Sequence, residues 1–235
     1  MLDRVQIILD ANVLMADPER KDLVWEDLRS AIKAGHVTVA VPKIVVIEIA
    51  QRIKAVADAD VEKIRALAKR GPDSIATTLE HAAAMRASMA EDILDSKFAE
   101  LQDDGIVILE TPNPTHDDIA SRAAMRVRPF NNAGNGYRDT VHWFSVLEAA
   151  RVSMHGETVW VSNDNCFGTK ESKGLHPDLL EDLRKGVGGP RHLGKVLARD
   201  QITCGSRVPA GFPDSAADAE FRRLATRGFS DLARC

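Results

Sequence analysis

No uninterrupted apolar stretch in this 235-residue sequence reaches the roughly 18 residues that a membrane span needs. The longest candidate, Val37 to Ala50, is broken by Pro42, Lys43 and Glu48, so no membrane-spanning role is expected. The first residues also lack the basic lead-in of a signal peptide and set Asp3, Asp10 and Asp17 among the apolar ones; a cytoplasmic location is the expectation. Cysteine is scarce. Cys166, Cys204 and Cys235 are odd in number and irregularly spaced, which fits neither a disulfide framework nor paired zinc ligands, and they read as reduced thiols. A basic excess is lacking too: the net charge is −4, so a polyanionic partner would require a local concentration of cations. Arg122, Arg126, Arg128 and Arg138 do fall in one short stretch, and by themselves they read as a solvated helix face. Internal repeats and low-complexity tracts are absent.

What is present is enough apolar material, 44% of residues, to bury a sizeable core. The organisation reads as one domain over residues 1–200 and a C-terminal tail over 201–235 that carries no functional signal. Val5 to Leu9 (VQIIL) and Val37 to Val41 (VTVAV) are short, rich in β-branched residues and suited to buried parallel strands. Ile106 to Leu109, after Gly105, and Thr158 to Ser162 are the third and fourth. Between them lie helical patterns. One runs from Lys43 to Arg70, with Ile44, Ile47, Ile53, Val56, Ile64 and Leu67 at helical spacing, and closes at Gly71-Pro72. Others run over Ser74 to Leu101, Asp117 to Val127 and Asp139 to Arg151, the last read as amphipathic along Val141, Phe144, Leu147 and Val152. Pro129 to Gly136 is turn-rich and reads as a loop. Farther on, Pro177 to Lys185 and His192 to Arg199 read as helices. Strands alternating with helices predict an α/β fold with a mainly parallel sheet covered on both faces, because parallel neighbours need crossover connections.

Four acids stand out from this frame. Asp10 ends the first strand, where ligands of open parallel sheets collect, although Asp after a strand is also an ordinary helix N-cap. Glu48 is the only charge in IVVIEIA, costly there unless paired or holding a cation; an intrahelical pair with Arg52 is the plain alternative. Asp139 opens a helix, where it also suits the helix dipole, and Asp164 directly follows the fourth strand. Together they describe a carboxylate cage. Such a cage holds only if a cation or retained protons offset a repulsion of roughly 4 kcal/mol per pair at 4 Å and an effective dielectric near 20. Oxygen ligands alone suit Mg²⁺ or Mn²⁺ over zinc.

The strings LDANVLM, VVIEIA, GYRDTVHWF and VSNDNCF, in this order, resemble the PIN-domain nucleases. GYRD before the third acid and LHPDLLEDL at Leu175 to Leu183 are similar to a larger PIN-like subgroup of unknown function. The resemblance spans about residues 5 to 200. It implies a three-layer α/β/α fold, metal-dependent RNase activity, and ligand roles for Asp10, Glu48, Asp139 and Asp164. It further implies that Asn12 and Ser162 orient the first and last acids. Cys166 stands where many members carry a further acid, and the loop before Tyr137 is short of lysines.

On this reading one or two metal ions activate water for attack on an RNA phosphodiester, while Arg138 and Tyr137 contact phosphate or RNA. Trp143 reads as core and His142 as a helix-surface histidine. The rival classes are a non-catalytic RNA-binding or scaffold protein, which Cys166 keeps open, and a phosphohydrolase with Asp10 as nucleophile, which Asn12 counts against. A toxin role with an antitoxin partner, and a homodimer, are left open by the sequence.

Overall fold

The computed structural model describes residues 5–131, 133–152, 157–162, 164, 166–168, 175–186 and 196–198. They form two compact units, one comprising Met1–Val45 with Asp104–Cys235 and the other Val46–Asp103. The tail over residues 201–235 lies outside the described residues.

The first unit holds a five-stranded, all-parallel sheet in the order β3-β2-β1-β4-β5. Its strands are β1 (Val5–Leu9), β2 (Val37–Pro42), β3 (Val107–Leu109), β4 (Glu157–Ser162) and β5 (Val196–Ala198). Every residue of β1 is buried, as it must be when both faces of a central parallel strand are covered. The chain runs outward from β1 through β2 to β3 and returns to β4 on the other side. The order therefore reverses between β1 and β4, and the carboxyl ends of those two strands mark the switch point at which open α/β sheets bind ligands.

The helices of this unit are α1 (Ala11–Ala16), α2 (Leu23–Lys33), α6 (His116–Ala124), α7 (Tyr137–Val152) and α8 (Pro177–Gly186), with the start of α3 (Lys43–Ala68). Trp143, Val146, Trp160, Phe167, Leu179 and Leu183 form one apolar cluster with Ile8 and Ala40. Helix α7 is not the one-sided helix its sequence predicts. Thr140, Val141, His142, Trp143, Ser145, Val146, Ala149 and Ala150 are all buried and Val152 is exposed. The reason is that α7 touches β2, α6 and α8 at once, so more than one of its faces is covered. Residues 196–198 form a strand where the pattern predicted helix, since their place beside β4 offers backbone partners that local spacing does not reveal. Helices α1 and α2 had no counterpart in the sequence reading; in α2 the buried positions Val24, Trp25, Leu28 and Ala31 share one face.

The second unit contains the rest of α3, α4 (Asp73–Glu91) and α5 (Ile93–Asp103). The single helix expected from Ser74 to Leu101 is divided at Asp92. The buried face of α3 also differs from the expected one. Val46, Ile49, Ala50, Ala57, Val61 and Ala68 are buried while Val56 and Leu67 are exposed, because alanines complete a face that a count of large apolar residues misses. Ion pairs link α3 to α4 through Arg86–Asp60 and Arg65–Glu80. Among the described residues no helix is long and apolar enough to cross a membrane.

Candidate active site

Asp10 sits one residue beyond β1, and its N–H donates to the Val161 carbonyl at 3.0 Å, extending the ladder to β4. It is also the N-cap of α1: its Oδ1 accepts the Ala11 N–H at 2.6 Å. The plain capping role is therefore real, and it fixes the carboxylate at the switch point of the sheet. Ser162, the last residue of β4, donates its hydroxyl to Asp10 Oδ2. The same Oγ accepts the Asp164 N–H at 3.1 Å, and Asp164 Oδ1 accepts the Cys166 N–H at 2.8 Å. One serine thus joins the carboxylate of Asp10 to the backbone of Asp164.

Asp139 lies in the first turn of α7, its side chain 27% exposed and its Oδ1 3.7 Å from Arg138 Nε. Gly136 delivers the chain to this turn at φ +137°, and a Cβ there would stand 2.8 Å from both Phe130 Cα and the Pro129 carbonyl. Only glycine fits this approach. Its carbonyl accepts the Thr140 N–H at 2.8 Å.

The electrostatics bring these acids together. Burial first, then the charges of Asp164 and Asp139, a hydrogen bond to Asp164 and the charge of Asp10 push the Cys166 thiol far above its ordinary range. Three carboxylates therefore bear on one side chain, and that side chain stays a protonated, unreactive thiol. Among the described residues, no three His, Cys, Asp or Glu side chains stand close enough to hold a metal ion. The donors present, carboxylate oxygens beside a neutral thiol, match a hard divalent cation in kind; drawing them to ligand distance against their mutual repulsion requires that cation's charge.

Glu48 belongs to the other unit. Its side chain is 12% exposed and pairs with Arg52 at i+4, the alternative that its sequence context offered. Asn12 is half-buried on α1. Tyr137 and Arg138 are exposed at the start of α7, whereas Trp143 and Phe130 are buried.

Two expectations are overturned. Arg122 is buried, donating from Nε to the Arg128 carbonyl at 2.7 Å and from its terminal nitrogen to Asp182, so the arginine cluster is not simply a solvated face. His142 is 5% exposed, with Nδ1 3.6 Å from Asp10 Oδ1 and its ring edge-on to Trp160 and Phe167. Its place three residues after Asp139 was visible in the sequence; what was not visible is that α7 is buried all round at that level. The LHPDLLEDL segment is explained in part. Asp182 Oδ2 also accepts the Trp143 indole N–H at 2.8 Å, and Asp178 accepts the Arg128 N–H at 3.1 Å, so α8 braces the loop that leads to Asp139.

Residues 7–167 match the family model described as PIN domain, a span that includes Asp10, Glu48, Asp139 and Asp164. Comparison with curated proteins and with solved structures found no match. PIN domains are generally nucleases and typically use divalent metals. A parallel sheet with its switch point at Asp10, acids after β1 and β4 and at the start of α7, and a family match over most of the chain agree: the chain belongs to the PIN domain family.

Proposed function

We propose that this chain is a divalent-metal-dependent endoribonuclease in which Asp10, Glu48, Asp139 and Asp164 hold Mg²⁺ or Mn²⁺. The observation that carries the reading is that Ser162 joins the Asp10 carboxylate to the backbone of Asp164 at the switch point of the sheet, with Asp139 in the first turn of α7. Glu48 enters as the fourth ligand from the family resemblance. When bound, the cation supplies an activated water for in-line attack and charge stabilisation at the leaving oxygen. The chain's own groups do the positioning. Ser162 and the Ala11 N–H hold Asp10, Ser162 also fixes the backbone at Asp164, and exposed Arg138 offers a phosphate contact. Tyr137, exposed next to it, offers a ring on which an unpaired base stacks. Single-stranded or structured RNA is the proposed substrate, by analogy with the family. A toxin role with a protein antitoxin, in a cytoplasmic setting, and a homodimer belong to the same proposal.

The competing reading is a non-catalytic RNA-binding or scaffold protein. It is favoured by the spacing of the acids, which fall short of a ligand set among the described residues. A mixed RNA pool incubated with the full chain and Mn²⁺, with and without EDTA, separates the two. Cleavage that EDTA stops, and that Asp139→Asn reduces to the EDTA level without altering the fold, is the expected result. Turnover unchanged in the variant removes the assignment, and RNA retained but never cut establishes the rival.

A further inference from the structure

We infer that His142 is a positioning residue for the metal-binding carboxylate Asp10, an inference that rests on the metal reading of the site. Three observations support it. His142 is 5% exposed, in a part of α7 packed against the sheet, where an imidazole has no solvent to satisfy it. Its Nδ1 faces Asp10 Oδ1 at 3.6 Å. An ionised carboxylate can only accept, so the proposed pairing sets an Nδ1 that carries its hydrogen opposite Asp10 Oδ1, at a separation longer than a direct hydrogen bond. Its ring is held at 71° to Trp160, with centroids 5.5 Å apart, and at 83° to Phe167, at 6.1 Å. Those two rings contact each other with centroids 4.2 Å apart, so the imidazole is fixed between two side chains that are themselves core. The direction of its Nδ1 is set by aromatic packing.

Three groups are then directed at Asp10. Ala11 N–H and the His142 edge address Oδ1, and the Ser162 hydroxyl addresses Oδ2. Each is carried by a different element, α1, α7 and β4. A carboxylate held from three sides keeps its remaining lone pairs in one direction, which is the service that outer groups give to a metal ligand. His142 thereby links the element that carries Asp139 to the side chain of Asp10.

Two substitutions separate positioning from packing. His142→Phe keeps the aromatic contacts and removes the donor; His142→Asn removes the ring and keeps a nitrogen donor near the Nδ1 position. Packing alone predicts that the Phe variant resembles the parent in every measurement. Positioning predicts a crossed order: the Phe variant melts closer to the parent, yet binds Mn²⁺ about tenfold or more weakly by calorimetry, and the Asn variant binds within about threefold of the parent. Parent-like Mn²⁺ affinity in His142→Phe overturns the inference. If the parent itself takes up no Mn²⁺, the metal reading fails, and the inference is decided by thermal midpoints without metal. Non-additive effects of His142→Phe and Asp10→Ala support it, and additive effects overturn it.

Discussion

In the unit that carries the sheet, Trp25, Trp143, Trp160, Leu28 and Leu179 are among the largest side chains with under 2% exposure. In the unit of residues 46–103, alanines at 50, 57, 68, 83 and 90 make up much of the buried set, and Val56, Leu67, Ile75, Met85 and Met89 are exposed. Charges follow the same division. Buried Arg20 meets Asp104 at 2.6 Å and buried Arg122 meets Asp182, whereas in the helical unit the Arg86–Asp60 pair is 35% and 40% exposed. The difference teaches where the stabilising free energy resides. Fully burying a large apolar side chain contributes about 1.5–3 kcal/mol, while alanine has little surface to bury and an exposed ion pair contributes about 0–1 kcal/mol. The sheet unit can therefore carry buried charged groups such as Asp10, Arg20 and Arg122. The helical unit relies on helix propensity and many weak pairs.

This contrast can be broken by matched substitutions. Trp143→Ala should lower stability by about 3–5 kcal/mol in urea unfolding, since it removes a buried ring and leaves Asp182 without its indole donor. Met89→Ala in the helical unit should cost less than about 0.5 kcal/mol; equal losses would abolish the distinction. Next in size, Asp182→Ala leaves the buried Arg122 guanidinium without its carboxylate and should cost about 3 kcal/mol, against less than about 1 kcal/mol for Asp60→Ala. Smaller again, Ser162→Ala should weaken Mn²⁺ binding about tenfold by calorimetry, with the fold retained by circular dichroism.

The least effect is expected at Asp118, where the comparison is sharpened by pH. Its carboxylate accepts the Thr115 hydroxyl and N–H, which hold its pKa below the ordinary 3.8. A folded value below the unfolded one adds stability above the unfolded pKa, and that contribution is lost as pH falls through the folded value. Asp118→Asn should therefore narrow the gap between urea midpoints at neutral and acid pH. An unchanged gap would show that this exposed cap is silent.

Much of the fold was legible. The first four strands, α3, α6 and α8 stand within a few residues of their expected bounds, because short β-branched runs and helical spacing are local signals. A mainly parallel sheet followed from the alternation; that all five strands are parallel came from the structure. The site was legible in part: Asp10 and Asp164 reveal themselves by ending strands, and Ser162 by the motif around it. His142 was misread as a surface residue because the rings that enclose it, Trp160 and Phe167, come from β4 and the segment after it. Arg122 was misread likewise, as its partners Arg128 and Asp182 lie 6 and 60 residues away.

By itself the sequence determined which segments become strands and helices and that acids stand at the strand ends, since each is a matter of neighbours a few residues apart. Only the tertiary structure decided the strand order that reverses between β1 and β4, the burial of α7 on every side from Thr140 to Trp143, and the placement of Ser162 and His142 against Asp10. The β1–β4 pairing and the contacts of Ser162 and His142 with Asp10 join residues more than a hundred positions apart, and burial converts such contacts from weak, solvent-screened attractions into fixed geometry.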